Sequence, residues 1–98
     1  MRSLSKSPLA VAREALAAAR TALPEYSHAF SRRDFTQHQL FAVLALRKFM
    51  KLDYRGIIVI LKEWSDLRQT LGLTKVPHYS TLCYAEERLF KKGAFSIY

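Results

Sequence analysis

Apolar residues recur along this chain with helical spacing, and helix-capping residues punctuate them. Ser7 followed by Pro8 is a helix start, a hydroxyl cap and then proline at the first helical position. The helix is expected to run to about Ala22 and to stop before Pro24. It is mostly alanine, with Leu9, Leu16 and Leu23 as larger anchors. Its helix propensity is high and its apolar face thin, so an arm that packs weakly, or on a partner, is expected. Glu25 to Asp34 is a polar connector carrying Arg32 and Arg33. Thr36 with Gln39 then forms a capping-box pattern. The next helix, Gln37 to about Lys51, is apolar nearly all round in its first half through Leu40, Phe41, Val43, Leu44 and Leu46. Such a helix is central in a small domain. Its basic end, Arg47, Lys48 and Lys51, suits the negative end of the helix dipole.

Asp53 caps a third segment, in which Tyr54, Ile57, Ile58, Leu61 and Trp64 form one continuous face, with Arg55, Lys62 and Glu63 opposite. Ile57 to Ile60 is also β-branched enough for a buried strand, but the helical phase continues to Trp64 and favours a helix. Ser65 to Leu71 reads as a short helix ended by Gly72. A loop from Thr74 to Tyr79 holds Pro77. Ser80 then caps a last helix, Thr81 to about Lys92, with Gly93 beyond it. The expected fold is all-α, a small bundle of four to five helices with a helix-turn-helix-like C-terminal part. Residues 1–24 are read as the helical arm, 25–92 as the domain and 93–98 as a tail.

Composition supports a packed helical domain. Half of the 98 residues are hydrophobic, and only three glycines and three prolines interrupt them. Charge adds a functional direction. Sixteen Lys and Arg stand against eight Asp and Glu, for a net charge of +8. A folded domain with that balance attracts polyanions, nucleic acid above all, although a merely cationic surface has the same composition. A single cysteine, Cys83, excludes an intrachain disulfide, points to a reduced, intracellular setting, and with three scattered histidines makes no zinc site of the usual spacing. The longest uncharged run, Phe35 to Leu46, is short of the roughly 20 apolar residues that span a bilayer, so no membrane partner is expected. Arg13 and Glu14 interrupt any signal-peptide core.

The last helix divides by chemistry. Leu82, Ala85 and Leu89 share one side and should meet the core; Thr81, Tyr84, Arg88 and Lys91 share the other. A recognition helix needs such an outward face. Arginine pairs with guanine edges, threonine touches thymine methyls, and tyrosine and lysine hold phosphates. His78, Tyr79 and Ser80 lie at the helix N-terminus, where a phosphate is favoured. Arg55, Lys62, Arg32 and Arg33 add supporting charge. An amphipathic helix with a solvated cationic face shows the same pattern. Trp64 and Cys83 read as packing residues, and Glu86 and Glu87 as solvated charges. No Gly-rich phosphate loop or Ser-His-Asp arrangement is present, and no small-molecule substrate is indicated.

The stretch from Phe35 to Leu89 resembles the N-terminal region of DDE transposases of bacterial insertion sequences. An apolar helix leads into Leu52, Asp53, Tyr54 and Arg55. Leu71, Gly72 and Leu73 follow, and then Val76, Pro77, Ser80, Thr81 and Leu82 turn into another helix. The order and spacing of these pieces carry the likeness. It implies a helical, DNA-binding domain ahead of a ribonuclease-H-like catalytic domain, whose three acidic residues hold two divalent metals. None of the acidic residues here matches that triad, so the resemblance implies a truncated or excised front module, not an enzyme, with no cofactor of its own; magnesium would belong to the catalytic domain. Its expected partners are transposon-end DNA, in a cytoplasmic, nucleoid-associated setting, and a second copy of the chain in a homodimer. The alternatives are a dimerisation or docking module, or a nonfunctional remnant of a transposase gene.

Overall fold

Every residue from Leu40 to Leu46 is buried. Seven consecutive buried positions cover the whole circumference of a helix, so this segment needs neighbours on all sides. The computed structural model describes residues 7–24 and 34–91, and it supplies those neighbours as helices. Among the described residues there are five, with no strand: α1 (Pro8–Ala22), α2 (Gln37–Met50), α3 (Tyr54–Glu63), α4 (Ser65–Leu71) and α5 (Tyr79–Glu86). A π-helical turn, Glu87–Lys91, continues α5. α2 touches α1, α3 and α5, and α1 also reaches α4. No described helix is long and apolar enough to cross a membrane.

Local chemistry sets the helix ends. The Gln39 backbone N–H donates to Thr36 Oγ1 and the Thr36 N–H to Gln39 Oε1, both at 3.0 Å, which completes the capping box of α2. The amide nitrogen of Gln39 also donates to the carbonyls of Leu71 and Gly72 at 3.1 and 2.9 Å, so one side chain ties the start of α2 to the end of α4. α2 ends at Lys51 in the left-handed region (φ 58°), with the Leu52 N–H bonded back to the Arg47 carbonyl. Asp53 Oδ1 accepts from the Gly56 N–H at 2.7 Å and starts α3. α3 breaks at Trp64, where Arg68 reaches back from α4 to the carbonyls of Leu61 and Lys62. Trp64 is half-buried there, packed against the core. Gly72 (φ 72°) closes α4 in a conformation that glycine adopts without steric cost.

The weak packing expected of the N-terminal helix is corrected by the structure. Ser7 caps α1 as anticipated, its Oγ accepting from the Ala10 N–H at 3.1 Å. Yet Ala12, Ala15, Leu16 and Ala19 are buried in the common core, and Leu9, Val11 and Leu23 pack at its edge. An alanine face looks thin in sequence because each side chain is small. On the helix those small side chains let α1 approach α2 closely, and backbone and methyl contacts replace leucine contacts. The chain beyond α1 is also pinned to α2. Gln37 Nε2 donates to the Pro24 carbonyl at 3.1 Å, and His38 Nε2 bonds the Leu23 carbonyl at 2.8 Å.

Two outcomes are expected from this packing. Leu16→Ala should lower stability by about 2–5 kcal/mol, and a chain beginning at Glu25 should lose its cooperative thermal transition. Urea and thermal melts followed by circular dichroism measure both.

Candidate nucleic-acid interface

Pro77 is buried and His78 is extended, which turns the chain into α5 at Tyr79, two residues before the expected start. The cap is His78 rather than Ser80: the Ser80 N–H donates to His78 Nδ1 at 3.2 Å, and the Ser80 hydroxyl lies 2.9 Å from the same nitrogen.

This turn faces the outer side of α3 across an open groove of about 450 Å³. Its floor is aliphatic, made by Ile58, Val59, Val76 and Pro77, and its rim carries Arg55, Lys62, His78 and Tyr79. The Arg55 guanidinium lies 5.9 Å from the centroid of the Tyr79 ring, and the His78 and Tyr79 rings touch at 5.0 Å. Four residues proposed from sequence as DNA contacts, two from α3 and two from the start of α5, thus share one concave surface. Tyr84 stands farther along α5 and is 69% exposed. Thr81 and Ser80 are half-buried.

Arg88 departs from the expected outward face. Its Nε donates to Gln37 Oε1 at 3.1 Å, and the residue is half-buried beside the start of α2. Arg88 lies one turn beyond buried Ala85, on the flank of the buried stripe rather than opposite it, and there reaches Gln37. Leu89 is buried, as its stripe predicted, and Phe90 stacks on Phe41 of α2 at 5.5 Å. Arg32, Arg33 and the side chain of Lys91 lie outside the described residues.

The remaining cations divide into engaged and unengaged. Arg47 and Lys48 pair with Glu86 at 3.1 and 3.7 Å, and Lys75 with Asp34 at 3.2 Å. Among the described residues, Arg13, Arg20, Lys51, Arg55 and Lys62 are exposed and form no ion pair; of these, Arg55 and Lys62 line the groove. No family model, curated protein or solved structure matches this chain. Among the described residues, no three His, Cys, Asp or Glu side chains gather as a metal site would.

Glu86, expected to be a solvated charge, is instead the junction of three helices. Its Oε1 accepts from Arg47 Nη2 at 3.1 Å and from the Tyr54 hydroxyl at 2.9 Å, and Arg47 also lies over the Tyr54 ring. Burial pushes the Glu86 carboxyl up, but the Tyr54 hydrogen bond and the charges of Arg47 and Lys48 outweigh it and hold the group below the usual range. Burial, then the hydrogen bond and charge of Glu86, push the Tyr54 phenol up to about 12. Cys83, expected to pack beside Leu82, is exposed, because adjacent helical residues point about 100° apart. Neither position showed its role in sequence, since the partners of Glu86 lie more than thirty residues away.

A carboxyl lowered by folding stabilises the fold above its unfolded pKa, and that stability is lost as pH falls through the folded value. Glu86→Gln should therefore cost about 2–3 kcal/mol at neutral pH, with the gap to the parent narrowing below about pH 4. Denaturant melts at both acidities check the size and direction of the change.

Proposed function

We propose that this chain is a DNA-binding module of the transposase type, directed to transposon ends, with α3 and the start of α5 as its contact face. The observation that carries the reading is the convergence of Arg55, Lys62, His78 and Tyr79 on one groove. Arg47, Lys48 and Lys75 are occupied by carboxylates, whereas the two groove cations are exposed and make no such pair among the described residues. Unpaired surface cations suit phosphate neutralisation, and the overall charge of +8 favours approach to a polyanion. The likeness of Leu52–Arg55, Leu71–Leu73 and Val76–Leu82 to the front region of insertion-sequence transposases supports the choice of target.

In this reading α4, its following loop and α5 act as a helix-turn-helix-like unit. Tyr84 and Thr81 are its candidate base-side contacts, and Arg88 serves the fold. The role assigned is binding alone; strand cleavage and joining belong to the catalytic domain of the full-length relatives. A homodimerisation or docking module is the second reading. Four large apolar side chains favour it, since Phe49, Val59, Tyr79 and Tyr84 are all exposed.

Anisotropy titrations on terminal-repeat and unrelated duplexes, at several salt concentrations, test the proposal. Arg55→Ala and Lys62→Ala should each lower the salt slope by about one and weaken all sequences alike. Arg88→Ala should change the melt more than the affinity. A folded double variant of Arg55 and Lys62 that binds as the parent does overturns the assignment of this face. A mass that rises with concentration, with no DNA affinity, favours the second reading.

A further inference from the structure

The groove between α3 and the start of α5 holds two chemistries that a duplex does not use together. Its rim is cationic, through Arg55 and Lys62, and its floor is aliphatic, through Ile58, Val59, Val76 and Pro77. Paired DNA presents phosphates and sugars outward, with base edges inside its own grooves, and protein elements enter those grooves as convex ridges. An aliphatic hollow of about 450 Å³ meets no matching surface there. Its volume falls within the roughly 300–1,000 Å³ of small-molecule and cofactor sites, although this groove is open. Val59, one of the aliphatic residues that line it, is 49% exposed, an apolar surface without cover among the described residues. Beside it stand the planar groups that stack on bases, the Tyr79 ring and the Arg55 guanidinium, 5.9 Å apart.

We propose that this groove takes an unpaired nucleotide, its base laid over the aliphatic floor beside Tyr79 and its phosphates held by Arg55 and Lys62. The inference rests on the DNA-binding reading and narrows it: the preferred substrate class is DNA with unpaired terminal nucleotides or a single strand, not the interior of a duplex. The opposite charges of rim and ligand favour a nucleic acid. An acidic, leucine-rich peptide is the competing occupant. Base stacking tolerates any sequence because every base has a π-face, so the preference should be for unpaired structure and independent of base identity.

The whole chain is titrated with three labelled probes at matched salt: a blunt duplex, the same duplex with an unpaired tail on one strand, and an oligothymidylate. The tailed duplex and the oligothymidylate should bind roughly tenfold more tightly than the blunt duplex. Tyr79→Ala should erase that preference and Tyr79→Phe should keep it, with circular dichroism unchanged in both. Equal affinity for tailed and blunt duplexes overturns the inference and leaves the broader DNA-binding reading standing. A folded Tyr79→Ala protein that keeps the preference also overturns it. Absence of binding to all three probes overturns both. Displacement of bound oligothymidylate by the acidic peptide is expected if the two share the rim cations; peptide binding without any DNA competition makes the groove a protein-docking site and sinks the proposal.

Discussion

The burial of α2 on every side is the constraint on which the rest of this structure depends. A helix that is apolar around its circumference cannot remain at a surface, so each of its faces must be covered. α1 covers one with alanines and Leu16, and α3 and α5 cover others with Ile57, Leu61, Leu82 and Ala85. The covering helices thereby have their apolar stripes assigned. What they leave outward is decided by the same step: Arg55, Val59 and Lys62 on α3, and Tyr84 on α5. The candidate interface is the outer side of the helices that close over α2.

Charge follows a second division. Arg47 and Lys48 emerge near the C-terminal end of α2, where the helix dipole and Glu86 both favour cations. Glu86 links that end to α5 and, through Tyr54, to α3. The network is half-buried, so removing one partner leaves a desolvated charge, and its worth lies in fixing the relative placement of three helices. Lys48 also lies 5.5 Å from the Phe90 ring, which brings the π-turn into the same corner. These cations are spent on the fold. Net charge alone therefore overstates how many are available to a polyanion, and the location of the exposed cations is the more informative quantity.

Most local features were legible in the sequence and long-range ones were not; the cap of α5, read as Ser80 and found at His78, is the local exception. The Thr36–Gln39 box, the Asp53 cap and the Gly72 stop each need only residues within one turn, and all three form. The choice of helix over strand for Ile57–Ile60 rested on a phase that the tertiary structure keeps, with Ile57 and Leu61 fully buried. The packing of α1 was hidden because alanine contributes little apolar area by itself. The roles of Arg88 and Glu86 were hidden because Gln37, Arg47 and Tyr54 come from distant helices. Of the candidate site, the α3 cations and the His78–Tyr79 pair were each visible, but their meeting across a groove was not.

That meeting has a structural consequence for how the molecule can change. The rim residues Arg55, Lys62 and Tyr79 are exposed, whereas Pro77 in the groove wall is buried and Ile58 and Val76 are half-buried. Exposed side chains away from caps and ion pairs contribute little to stability, typically within about 0.5 kcal/mol, so the rim can vary without loss of the fold. The floor behaves differently. Ile58 and Val76 face the groove and also pack against the core, so their substitution alters the shape of the site and the stability of the bundle together. Affinity for charge and the shape of the hollow are thus carried by separate residues. The charge of the groove lies on a rim free to vary, and its shape on positions that also pack against the core.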